Sequence, residues 1–200
     1  MSRYTGPKHK LARREGVNIF GKASASLERR LNVIPGIHGK RRARKLSEYG
    51  IQLREKQKLK RTYGVSEAQF RKYAMLAQKA KENTIDILVQ LLETRLDNVV
   101  YRLGFGKTRF QARQMVSHRH IFVNGKKLNI PSYSVREGDI IAVSPKFAPE
   151  EIKARVESEE RLTPSYLSQE TLEGKLIRLP TRDDIANPVD YQLVIEFYSR

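Results

Sequence analysis

Apolar side chains at Ile85, Leu88, Leu92, Leu96, Val99 and Leu103 recur at steps of three and four, the spacing that lays a stripe along one helix face. The pattern predicts one long helix, capped by Asn83 or Thr84 and closed by the turn Gly104-Phe105-Gly106. Thr108 then offers a side-chain oxygen to free amides, and Gln111 completes a T-x-x-Q capping box, so a second helix starts at Arg109. Its Ala112, Met115 and Val116 face a core, while Arg109 and Arg113 stack one turn apart along the edge of that strip and are left for a partner. Ile121-Phe122-Val123 follows as a strand. Asn124-Gly125 tolerates the positive φ of a tight hairpin, and Lys126-Lys127 lie on the return. Residues 93–143 thus read as a helix-loop-helix followed by short antiparallel strands.

Upstream, Leu46 to Thr62 reads as a helix opened by Ser47, with Glu48 in its first turn. Arg54, Lys58 and Arg61 give it a cationic face, and Tyr49 and Leu53 mark a different face for packing. Ser66 and Gln69 form another capping-box pattern, and Phe70, Tyr73, Ala74 and Ala77 supply the buried stripe of the next helix. Downstream, Pro149 suits a first helical position, Glu150 and Glu151 sit where the helix dipole favours anions, and Ile152 and Val156 form a small apolar side. Leu176, Ile177 and Leu179 predict one short strand, and the alternation of Leu193, Ile195 and Phe197 predicts a second. Residues 1–45 are punctuated by glycines and show little periodicity, so they read as an extended basic arm without a core. The expected fold class is α+β, with 1–92 as an N-terminal domain (arm 1–45, helical part 46–92), 93–156 as the strand-containing module and 157–200 as a C-terminal segment packing back on the body.

Charge changes the picture from fold to partner. The net charge is +17 over 200 residues, from 39 Lys and Arg against 22 acids, and such an excess favours a polyanion. It is uneven: residues 1–62 hold 18 basic and 4 acidic side chains, residues 93–148 hold 10 and 4, and residues 149–200 hold 7 and 11. The first third and the module therefore meet the polyanion, and the tail faces protein or solvent. Lys40, Arg41, Arg42, Arg44 and Lys45 repel one another unless phosphates neutralise them. No long apolar run and no basic-then-apolar signal segment is visible, which disfavours a membrane and makes a cytoplasmic protein the simplest expectation. With no cysteine there is neither a disulfide framework nor a thiolate metal site.

TRLDNVVYRLG (94–104), TRFQARQMV (108–116), VNG (123–125) and IPSYSV (130–135) resemble the small RNA-binding module named after small-subunit ribosomal protein four, a module also carried by some pseudouridine synthases and tyrosyl-tRNA synthetases. The flanks decide between these users. LSEYGIQLREKQKLKRTYGVSEAQFRKY (46–73) is similar to the ribosomal family's helical domain, RYTGP (3–7) and LARREG (11–16) to its N-terminus, and LEGKLIRLP (172–180) and QLVIEFYSR (192–200) to its end. The resemblance implies a ribosomal-RNA-binding protein of the small subunit, in a bacterial cytoplasm or an organelle. It implies binding to a multi-helix junction in the 5′ domain, nucleation of the subunit body, contact with the fifth small-subunit protein, an effect on decoding accuracy, and no self-association. RNA contact is then expected at Arg3, Lys8, Lys10, Arg13, Arg14, Lys40, Arg41, Arg42, Arg44, Lys45, Arg54, Lys58 and Arg61, and in the module at Lys107, Thr108, Arg109, Gln111, Arg113, His118, Arg119, His120, Asn124, Lys126 and Lys127. Two residues depart from the family pattern: Phe110 stands where an arginine often follows the threonine, and Arg119 replaces a glycine.

Four further patterns carry no chemistry. Metal-binding relatives have four cysteines near the N-terminus, but His9 and Ala12 stand where the first pair falls, so no zinc and no cofactor is expected. Gly106-Lys107-Thr108 ends like a phosphate-binding loop, yet the first glycine of that loop would be Tyr101 and a helix precedes it. His118 and His120 lack a third ligand nearby in sequence, and Asp183-Asp184 reads as turn chemistry after Pro180. No catalytic constellation emerges, so an enzyme is not expected; the alternative, an RNA-modifying enzyme or tRNA-related factor using the module for delivery, has only residues 149–200 left for a catalytic domain.

Overall fold

The computed structural model describes residues 4–21, 24–39, 45–145, 147, 149–157 and 163–199. The chain forms two compact units, Met1–Ile85 with Asn187–Arg200, and Asp86–Ala186. Its fold class is α+β, and among the described residues no helix is long and apolar enough to cross a membrane.

The first unit departs from expectation at its start. The supposed extended arm contains helix α1 (Lys8–Glu15), ended by Gly16 at a φ of 68°, and helix α2 (Ala25–Glu28). Ala12, Ile19 and Leu27 are buried together, with Leu11, Val17, Phe20 and Leu31 against them, so this segment has a small core of its own. Helix α3 (Glu48–Tyr63) opens where expected, Ser47 Oγ accepting from the Gly50 N–H at 3.2 Å. Its most buried face is Gln52, Lys56, Leu59 and Tyr63, about one residue round from the one read in the sequence, and Tyr49, 51% exposed, packs only at the edge of that face. At the end of α1 the Glu15 side chain is fully buried, accepts from Arg61 and lies 3.7 Å from Arg54. Burial raises its pKa, against the pull of Arg61 and Arg54. This ion cluster fastens α1 to α3, a tertiary tie that spacing along the chain cannot reveal. Helix α4 (Glu67–Lys79), capped by Ser66, buries Phe70, Tyr73, Ala74 and Ala77 as predicted.

In the second unit the predicted long helix is two: α5 (Thr84–Glu93) and α6 (Leu96–Arg102). The Asn83 side chain accepts from the Ile85 N–H at 3.0 Å. Between the helices Arg95 turns extended (φ −61°, ψ 134°) and bridges to Ser134, while the Leu96 and Asp97 amides donate to the carbonyls of Tyr133 (2.8 Å) and Pro131 (3.1 Å). The kink leaves Leu88, Leu92, Leu96, Val99 and Leu103 all buried, which is why the periodicity did not betray it. Helix α7 (Arg109–Ser117) buries Ala112, Met115 and Val116. Strands β1 (Ile121–Val123), β2 (Lys126–Lys127) and β3 (Ile140–Val143) follow, then helix α8 (Pro149–Glu157) and strands β4 (Leu167–Glu170) and β5 (Glu173–Leu176). They form one antiparallel sheet in the order β2-β1-β3-β5-β4. The core joins α6, α7 and the sheet; a Cβ on Gly174 would come within 2.4 Å of Leu103, so glycine lets β5 lie close under α6. Only Leu176 of the expected 176–179 strand is in β5, and Ile177 and Leu179 are 55% and 40% exposed. Asp184 serves a single 3-10 turn, accepting from Thr181 and Arg178, as turn chemistry foretold.

The last helix, α9 (Tyr191–Tyr198), returns to the first unit and corrects the strand predicted over 193–197. Asp190 Oδ1 accepts from the Gln192 (2.9 Å) and Leu193 (3.4 Å) amides, and Tyr191 and Val194 are buried at helical spacing. Phe197 packs on Tyr49 with ring centroids 5.5 Å apart, and Tyr198 donates to Glu67 at 2.8 Å. Lys56 also donates to Glu67 at 2.8 Å and lies 4.6 Å from the Phe197 ring centre. Burial would raise the Glu67 pKa, but hydrogen bonds from Lys56, Lys60 and Tyr198 outweigh it and hold it at about 2 against an ordinary 4.5. A carboxylate depressed on folding stabilises above its unfolded pKa and ceases to do so as pH falls through the folded one. In urea unfolding, the stability gap between wild type and Glu67→Gln is therefore expected to be fully present above pH 4.5 and to shrink toward pH 2; a gap independent of pH would remove Glu67 as the acid-sensitive tie.

Candidate nucleic-acid interface

The module's cations are built on a buried acidic layer that sequence reasoning missed. Glu93, with no exposed surface, accepts from Arg102 Nε at 2.9 Å and Nη2 at 2.6 Å, from the Tyr166 hydroxyl at 2.9 Å, and from Asn98 Nδ2. Asn98 Oδ1 in turn accepts from Arg109 Nε at 2.8 Å, and the Arg109 guanidinium lies 4.5 Å from the Tyr101 ring centre. Asp97, also buried, accepts from Arg95 at 2.7 Å and 3.0 Å and from Arg113 at 3.1 Å. Arg109 and Arg113 are thus half-buried and anchored to α6, not left wholly to a partner. Charged groups in an apolar setting need such partners, and the run Glu93…Asp97-Asn98 inside an apolar stripe was the available signal. Replacing both arginines with alanine is expected to cost about 1–3 kcal/mol of stability by leaving Asp97 and Asn98 short of donors, as well as weakening RNA binding. A melting temperature equal to wild type would return the pair to a purely external role.

Thr108, Gln111 and Asn124 work within the fold. Thr108 Oγ1 accepts from the Gln111 N–H at 3.2 Å, and the Gln111 side chain accepts from the Lys107 N–H at 2.7 Å, one residue short of the reciprocal box bond expected. Asn124, at a φ of 49°, donates to Asp139 at 2.8 Å and accepts from the Ile140 N–H at 2.9 Å, which fixes the hairpin against β3. Lys107, His118, Arg119, Lys126 and Lys127 are exposed, and Arg119 holds the left-handed conformation (φ 63°) that favours glycine. His120 stacks on Phe147 at 3.9 Å, and burial and then the neighbouring His118 lower its pKa from the ordinary imidazole value.

In the first unit Lys8, Lys10, Arg14 and Lys45 are exposed. Arg13 donates to the Val33 carbonyl at 3.0 Å, Arg54 and Arg61 face Glu15, and Lys58 pairs with Glu55. The cationic face read on α3 is thus partly neutralised from within. Arg3, Lys40, Arg41, Arg42 and Arg44 lie outside the described residues.

A basic α+β protein whose module displays cations over a helix-loop-helix and a hairpin belongs to the RNA-binding class. Residues 3–93 match the family model for the ribosomal protein S4/S9 N-terminal domain, and residues 94–141 match that for the S4 domain. The chain is 52% identical over 205 residues to small ribosomal subunit protein uS4 of Akkermansia muciniphila. It is 50% identical to uS4A of Symbiobacterium thermophilum over 208 residues and to uS4 of Shewanella loihica over 207, with 100% of both chains covered in all three comparisons. The chain belongs to the uS4 family of small ribosomal subunit proteins.

Proposed function

We propose that the protein is a structural, non-enzymatic constituent of the small ribosomal subunit that binds small-subunit ribosomal RNA in the cytoplasmic ribosome. The observation that carries this reading is the full-length match to the uS4 family, with residues 3–93 matching its N-terminal domain model and residues 94–141 the S4 domain model. A-form RNA hides its base edges in a deep major groove, so a surface of this kind grips phosphates and 2′-hydroxyls of a folded shape. In this reading Lys107, His118, Arg119, Lys126 and Lys127 in the module, and Lys8, Lys10, Arg14 and Lys45 in the first unit, meet the RNA directly. Arg109 and Arg113 reach it from their anchored positions, and the cations at 3, 40, 41, 42 and 44 add contacts.

The target is a multi-helix junction in the 5′ domain, bound early enough to nucleate assembly of the subunit body by a single copy of the chain. Contact with the fifth small-subunit protein and an influence on decoding accuracy belong to the same reading. Hydroxyl-radical footprinting on a 5′-domain RNA fragment tests it: protections should cluster at one junction. Protection spread evenly along the fragment, or none, overturns the junction assignment.

A further inference from the structure

The outward face of α4 plays no part in the RNA reading. Ala68, Arg71, Lys72, Met75, Leu76 and Lys79 line a shallow groove of about 290 Å³ along it. The core-facing stripe of this helix is complete without them, since Phe70, Tyr73, Ala74 and Ala77 are already buried. Met75 and Leu76 are nevertheless apolar and 45% exposed, adjacent on the open side. Three of the four cations in residues 63–92 border this pair, and no acidic side chain lines the groove. Glu67, the acid at the start of α4, is engaged by Lys56, Lys60 and Tyr198. Arg71, Lys72 and Lys79 make no salt bridge among the described residues.

An apolar floor within a cationic rim has a definite complement. We propose that this face docks an acidic, amphipathic helix of a partner protein, with apolar side chains on Met75 and Leu76 and carboxylates meeting Arg71, Lys72 and Lys79. From Ala68 to Lys79 the groove runs about 16 Å at 1.5 Å per residue, room for about three turns of a partner helix. Methionine's flexible thioether suits such a surface. RNA is the poorer occupant: its phosphates neutralise the rim but leave the two apolar side chains against a hydrated backbone, and the groove lining has no aromatic ring for a base to stack on. The inference goes beyond ribosomal-RNA binding and its test contains no ribosomal RNA, so either can fail alone.

The test uses the full chain with methyl-labelled methionine and leucine, titrated with a synthetic helical peptide of about three turns carrying leucines on one face and glutamates beside them. Parallel arms use the same peptide in scrambled order and a short mixed-sequence RNA duplex. The expected result is shifts centred on Met75 and Leu76 with the helical peptide, and affinity reduced about tenfold or more in the variant Arg71→Glu/Lys72→Glu/Lys79→Glu. Unchanged Leu59 and Leu88 methyl signals in that variant verify its fold. The proposal is overturned if the scrambled peptide binds as well, if the RNA duplex shifts the same methyls at equal or higher affinity, or if nothing shifts them.

Discussion

Replacing Glu93 with alanine should destabilise the 86–186 unit by about 3–5 kcal/mol, the usual cost of removing one partner from a buried charged network. The carboxylate has no exposed surface, and its loss removes one acceptor each from the Arg102 guanidinium, the Asn98 amide and the Tyr166 hydroxyl at once, while the Asn98 amide keeps its 3.1 Å bond to the backbone carbonyl of residue 93. Tyr166 is itself fully buried and comes from the segment before β4, so the damage reaches from α5 to a segment 73 residues further along the chain. Burial, then the adjacent Glu93 charge, pushes the Tyr166 pKa up, so the phenol stays a protonated donor throughout the accessible range. Glu93→Gln keeps the volume but loses the charge that Arg102 grips with two nitrogens, and should fall between wild type and alanine. Hydrogen exchange of the β1, β3 and β5 amides under native conditions reads this unit separately from the other. Protection in Glu93→Ala within about 1 kcal/mol of wild type would mean that water readily replaces the carboxylate.

The Glu93 layer also marks the limit of what the sequence could reveal. Wherever one helix carried its own signals the elements were legible: Ser66 and the stripe Phe70, Tyr73, Ala74, Ala77 located α4, and Thr108 with Ala112, Met115, Val116 located α7. Asn124-Gly125 likewise located the hairpin. The kink at Arg95 was hidden because Leu92 and Leu96 remain on the buried side whether or not the helix is continuous. Residues 193–197 are nearly all apolar, so periods of 2 and 3.6 fitted equally well, and Asp190 as a cap was the only discriminator. Charged partners were the least legible part. Glu15 with Arg61 lies 46 residues apart in sequence and Arg113 with Asp97 lies 16 apart, distances over which no local rule operates. The cationic pattern was therefore readable, but which cations are already engaged inside the fold was not.

That distinction has a direct thermodynamic readout in salt. Each RNA phosphate neutralised by a lysine or arginine releases counterions, so log K should fall linearly with log[salt], with a slope of about −0.9 per phosphate for duplex and −0.7 for single-stranded RNA. If six to ten phosphates are met, affinity drops by about 10³–10⁵ between 50 and 200 mM salt. Lys126→Ala/Lys127→Ala removes two exposed cations that have no acidic partner among the described residues, and should flatten the duplex slope by up to about 1.8. Arg109→Ala should behave differently. Its guanidinium is tied to Asn98 and stacked on Tyr101, so its loss should lower affinity with less change in slope than one fully exposed lysine produces. A slope that responds equally to every cation would show that Arg109 leaves its internal partners on binding. A flat salt response in the wild-type chain would remove the polyanion reading itself, because no surface with this charge can grip phosphates without displacing their counterions.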